Sequence, residues 1–157
     1  MRPPRIVSRS EEQTAALAAR LARLLKPGDV VFLKGPLGAG KTFFIRAAAR
    51  QLGVTEPVTS PSFAMGQTYA GRVTVHHLDL YRLTSFDMED FADFEPFFEK
   101  EAITFIEWPE RAEPHLSRAR VVVNMDHIDE HSRDIRLEGS DSEMSEKLEE
   151  IIARPRY

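Results

Sequence analysis

The sequence predicts an α/β fold: a three-layer domain around a central mixed, mainly parallel sheet. Three observations predict it. Residues 30–33 form a short, wholly apolar run, as strands covered on both faces do, and Ile103-Thr-Phe-Ile106 reads as a second buried strand. Helical and strand-like segments alternate along the chain, an order that builds layered α/β domains. A glycine-rich octapeptide, residues 35–42, joins the first apolar run to a helical segment. The 157 residues are one domain's worth of chain, 1–157, with 1–5 and 154–157 expected as loose ends.

Taken in order, Ser10 offers a helix N-cap and Gln13 stands three residues on, a capping-box pattern. Leu17, Leu21, Leu24 and Leu25 follow at helical spacing until Lys26-Pro-Gly-Asp29 stops the helix. Val30, Val31, Phe32 and Leu33 form the first buried strand, and a helix is expected over 43–52, ended by Gly53. Pro57 and Pro61 mark a loop. Runs of strand character at 63–69 and 73–78, joined by Ala70-Gly-Arg72, predict a hairpin. Short helical pieces broken near Pro96 are expected over 85–100, then the strand 103–106 stopped by Pro109. A strand pair, 119–125 and 134–137, and a closing helix over 141–153 complete the reading.

Composition narrows the function classes. There is no cysteine, which excludes disulfides, thiolate metal sites and a cysteine nucleophile. No stretch approaches the roughly 18 apolar residues of a membrane span, and the first ten residues lack a signal peptide's apolar run, so no membrane association and a cytoplasmic location are expected. A net charge of −4 argues against direct nucleic-acid binding. The charge is uneven: residues 1–50 carry ten Lys/Arg against three Asp/Glu, and residues 85–101 carry seven Asp/Glu against one Lys. Phe91, Phe94 and Phe98 in the acidic segment share a helical face, read as core packing in preference to partner docking.

Gly35-Pro-Leu-Gly-Ala-Gly-Lys-Thr42 matches the pattern G-x-x-x-x-G-K-[ST] at every fixed position, between an apolar strand and a helix. This makes the fold expectation P-loop NTPase-like. Gly35, Gly38 and Gly40 allow backbone conformations that side chains would block. Amides of the loop, including those of Leu37, Ala39 and Phe43, can then turn toward phosphate oxygens, aided by the helix N-terminus. Lys41 can reach the β- and γ-phosphates, and the Thr42 hydroxyl can ligate magnesium. The expected ligands are ATP and Mg2+.

Two acids stand at strand ends, Asp79 and Glu107. Acids there can hold magnesium directly, hold it through water, or orient an attacking water, and Glu107 leaves the direct and water-mediated roles open. Lys41 and Glu107 are the catalytic candidates; Thr42, Asp79 and Glu107 are the metal candidates. His76 and His77 point to opposite faces of a strand, so they cannot ligate one ion side by side. His77 shares a face with Asp79, but a hydrogen-bonded structural role is favoured over ligation. Trp108 is read either as core or as a ring beside the nucleotide.

The phosphate loop, Thr59-Ser-Pro-Ser-Phe63, His77-Leu-Asp-Leu-Tyr-Arg-Leu83 and Phe105-Ile-Glu-Trp-Pro109 together resemble the TsaE family, bacterial ATPases of tRNA threonylcarbamoyladenosine biosynthesis. The resemblance covers roughly residues 10 to 125. It implies slow ATP hydrolysis and two protein partners: the subunit that transfers threonylcarbamoyl to adenosine in tRNA, and that subunit's inactive homologue. Contact with tRNA would then be indirect. It also implies that Ser60 and Ser62 belong to a switch loop sensing the γ-phosphate, that Trp108 lies near the nucleotide, and that Tyr81 and Arg82 face the site or a partner. Pro36 and Ser62 depart from the usual Asp and Thr of the family; Ser62 keeps a hydroxyl.

Two other function classes fit a phosphate loop. A small-molecule kinase needs a second substrate pocket and usually an arginine-rich lid, for which the acidic segment 85–101 is poorly suited. A module that senses ATP without hydrolysis would not need Glu107. A signalling GTPase is disfavoured, because the sole asparagine, Asn124, is followed by Met125 and cannot belong to an Asn-Lys-x-Asp guanine motif.

Overall fold

The structure is a computed structural model that describes residues 2–61, 65–83, 92–116 and 118–153. Seven strands form one sheet: β1 (Arg5–Ser8), β2 (Val30–Lys34), β3 (Gly66–Tyr69), β4 (Thr74–Asp79), β5 (Ala102–Glu107), β6 (Val121–His127) and β7 (Arg133–Gly139). Their order is β1-β7-β6-β2-β5-β4-β3. The four central strands β6, β2, β5 and β4 are mutually parallel, while β3 and β7 run the other way. The expected mixed, mainly parallel α/β fold is what forms.

The regular helices α1 (Glu11–Ala22), α2 (Lys41–Gln51) and α3 (Ser142–Ala153) cover one face. Their buried residues Leu17, Leu21, Phe44, Ile45 and Leu148 pack with Val31, Leu33, Val75, Ile103 and Phe105 of the sheet. Strand alternation sends Val30, Phe32, Leu78 and Ile106 to the opposite face. Among the described residues that face is covered by shorter pieces, the 3-10 turns Glu95–Phe98, Pro109–Arg111 and Glu113–His115. Phe94 and Phe98 pack there in the core, as the sequence suggested, joined by Phe97; Phe91 lies outside the described residues. Helical residues 92–94 give way to the separate 3-10 helix Glu95–Phe98, so the helical pieces part near Pro96 as expected; Pro96 sits in the first turn of the second piece, where its missing N–H costs nothing.

Helix α1 begins as the sequence indicates. Ser10 Oγ accepts from the Gln13 amide at 3.1 Å, and Gln13 Oε1 accepts from the amide of Arg9, one residue before the cap, at 2.8 Å. The start of the chain differs from expectation. Arg5 is not loose: it opens β1, pairs in register with Arg136, and its guanidinium grips Asp134 with two hydrogen bonds of 2.8 Å. Its four residues are half polar and their partners lie 125 to 131 positions away, so no local pattern marks the strand. The expected strand at 63–69 is β3 from Gly66 on, and residues 62–64 and the tail 154–157 lie outside the described residues.

Candidate nucleotide site

Strand β2 delivers the glycine-rich loop to the carboxyl end of the parallel strands, and α2 leaves from it at Lys41. Gly35 has φ +151°, and a Cβ there would stand 2.2 Å from the Met125 carbonyl oxygen of β6, so the loop leaves the sheet through a gap only glycine fits. Gly40, at φ +96°, caps α2. A Cβ on Gly38 would meet nothing within 4 Å, because that residue faces an open cavity.

The cavity has a volume of about 520 Å³, in the range of small-ligand sites. Leu37, Gly38, Ala39, Gly40, Lys41, Thr42, Phe43, Ser60, Asp79, Glu107 and Trp108 line it, together with Tyr81 and Arg82. Gly35 contributes its carbonyl oxygen, which accepts from Lys41 Nζ. Ser62 lies outside the described residues. Met65, at φ +56°, also lines the cavity, and no sequence pattern marks it.

The two acids meet because β4 and β5 are parallel neighbours in register, with Asp79 opposite Glu107. Both strands place their odd-numbered residues on the α2 side, which brings Glu107 under the first turn of that helix. Thr42 Oγ1 donates to Glu107 Oε2 at 2.9 Å. His77, on the same face two residues before Asp79, is fully buried, and its Nε2 donates to the same oxygen at 2.6 Å. Its Nδ1 is the one buried side-chain atom without a partner among the described residues. His76 turns to the other face, between Thr68 at 2.8 Å and Glu99 at 2.9 Å. Both histidines are thus hydrogen-bonded within the fold, and no cluster of three or more His, Asp and Glu suited to a metal forms among the described residues.

Asp79 is held differently. Its Oδ1 accepts from the Tyr81 amide at 3.0 Å, and its Oδ2 accepts from Ser60 Oγ at 3.1 Å, which ties the loop 54–61 to the strand end. Lys41 is 4% exposed, its Nζ 3.7 Å from the centroid of the Trp108 ring. Burial lowers its pKa, and the charges of Glu107, Glu110 and Asp79 partly offset that effect. Trp108 takes a left-handed conformation, φ +57°, immediately after Glu107, and this bend lays its ring across the lysine.

A glycine-rich loop between a strand and a helix, with acids at neighbouring strand ends, defines an α/β protein with a mixed, mainly parallel sheet and its candidate site at the carboxyl edge of the parallel strands. The sequence profile described as "Threonylcarbamoyl adenosine biosynthesis protein TsaE" matches residues 8–135. Relatives named tRNA threonylcarbamoyladenosine biosynthesis protein TsaE include those of three bacteria. That of Treponema pallidum is 39% identical over 83% of this chain and 97% of its own length. The Aquifex aeolicus protein is 36% identical over 84% and 93%, and the Bacillus subtilis protein 34% identical over 79% and 78%. A crystal structure of YdiB from Bacillus subtilis superposes with a TM-score of 0.77 at 28% identity, covering 96% of this chain and 94% of that one. The chain belongs to the TsaE family.

Proposed function

We propose that this protein binds Mg-ATP and hydrolyses it slowly, as a cytoplasmic accessory subunit in the threonylcarbamoyl modification of adenosine in tRNA. The observation that carries the reading is the convergence of Lys41, Thr42, Asp79 and Glu107 on one cavity beside the glycine-rich loop. Family membership supports the pathway, and with it the two partners, the threonylcarbamoyl-transferring subunit and its inactive homologue, through which contact with tRNA is indirect.

The residues present fit the ligands. Gly38 leaves room for an anion against the backbone, and Lys41 brings a buried positive charge to it. Thr42, Asp79 and Glu107 offer oxygen donors only, the set that suits a hard cation such as magnesium. Magnesium bound there would supply positive charge at the β- and γ-phosphate oxygens. Thr42 Oγ1 and Asp79 would hold it, with Glu107 as a direct or water-mediated ligand. Thr42 and His77 both donate to Oε2 of Glu107, which leaves Oε1 to accept a hydrogen from the water aimed at the γ-phosphorus. Ser60, bonded to Asp79, can respond to the γ-phosphate through its hydroxyl.

Calorimetry with Mg-ATP tests the binding step: heat of association in the wild type and none in Lys41→Ala are expected. Phosphate release is expected well below the roughly 1–100 per second of kinases. Kinase-like turnover by the protein alone would overturn the accessory role.

A further inference from the structure

We infer that Arg133, on β7 and far from the loop in sequence, is a positioning residue that fixes one peptide of the glycine-rich loop for phosphate binding. The inference rests on the reading that this loop cradles phosphate. Arg133 Nε donates to the Ala39 carbonyl oxygen at 2.9 Å. A trans peptide is planar, and its carbonyl and the following N–H point in opposite directions. No peptide among the described residues is cis. Holding the Ala39 carbonyl toward β7 therefore turns the Gly40 N–H away from β7. Gly40 borders the cavity, and a Cβ on it would lie 3.5 Å from Arg133 Nε, which places the arginine against the loop's outer side.

The arginine is itself anchored. Its Nη1 donates to the carbonyl oxygens of Asp129 at 2.8 Å and Ser132 at 2.9 Å in the β6–β7 turn. That turn is braced separately by Asp129, whose Oδ1 accepts from the amides of His131 at 3.0 Å and Ser132 at 2.8 Å. A guanidinium bonded to a carbonyl also polarises the peptide, making the N–H at its other end a better donor to an anion. Arg133 thus serves the nucleotide without reaching it, and its effect falls on affinity.

The experiment measures Mg-ADP and Mg-ATP dissociation constants and steady-state kinetics for the wild type, Arg133→Met and Arg133→Lys. Loss of a charge-assisted bond predicts about a tenfold weakening for both nucleotides in Arg133→Met, with KM following and kcat held within about twofold. Arg133→Lys, whose single ammonium cannot serve the loop and the turn at once, is expected to lose less, and it decides the matter if the methionine variant does not fold. Unaltered affinity in both arginine variants, or a kcat loss at constant KM, would overturn the inference. A wild type that binds neither nucleotide would instead sink the reading beneath it.

Discussion

Thr42 and Glu107 are 65 positions apart in sequence, yet Thr42 Oγ1 donates to Glu107 Oε2 at 2.9 Å. The bond joins the first turn of α2 to the end of β5 and brings a candidate magnesium ligand beside the candidate hydrolytic carboxylate. Both residues keep this relation because β2 and β5 are neighbours in register, Leu33 opposite Glu107.

Replacing Glu107 with Gln keeps the shape of the side chain and removes its charge. Phosphate release should fall by about a hundredfold or more, the usual scale for loss of a group that handles the reacting water. Mg-ADP binding, measured by calorimetry, should persist. If the tRNA modification is unimpaired in cells carrying Glu107→Ala, the protein works as an ATP sensor and not as a hydrolase.

His77→Leu removes one of two donors to the buried Glu107 Oε2. Partners that orient a functional carboxylate typically contribute ~10–100-fold to activity, and a drop of that size in kcat with little change in KM is expected. Glutamine can present an N–H near the position of Nε2, so His77→Gln should recover part of the loss. Equal kcat in wild type and leucine variant would leave the histidine a packing role only.

Glycines of the loop should differ in their tolerance of alanine. Gly38→Ala meets open space and carries only the strain of φ +81°, on the order of 1–2 kcal/mol. Gly35→Ala drives a methyl to within 2.2 Å of the Met125 carbonyl oxygen, so β2 and β6 must part. Denaturant titration should show a clearly larger loss for Gly35→Ala.

The pH dependence of stability follows from Asp134. The hydrogen-bonded Arg5 guanidinium holds its carboxyl below the ordinary value of 3.8. A carboxylate depressed in the folded state adds stability above its unfolded pKa, and loses it as pH falls through the folded one. Arg5→Met should therefore lower the melting temperature at neutral pH, and the gap from wild type should close in strong acid. A gap that stays constant down to strong acid would remove the ion pair as its cause.

Local pattern made much of this molecule legible. The strands of β2 and β5 are apolar on both faces, and Ser10 and Gln13 announce the start of α1, because such signals are complete within a few residues. The same holds for the glycine-rich loop and for the acids at strand ends. Strand β1 was not legible, since four half-polar residues become a strand only when β7 supplies their hydrogen bonds. Nor were the 3-10 turns Pro109–Arg111 and Glu113–His115, three residues each and too short for a periodicity to show.

Sequence alone thus determined which residues carry charge, hydroxyl or glycine freedom at the mouth of the sheet, because those properties belong to single residues and short spacings. Tertiary structure alone decided that His77 braces Glu107, that Trp108 covers Lys41 and that Arg133 reaches Ala39. These contacts join positions dozens of residues apart. They exist because strand register and helix packing close those distances, which no local pattern encodes.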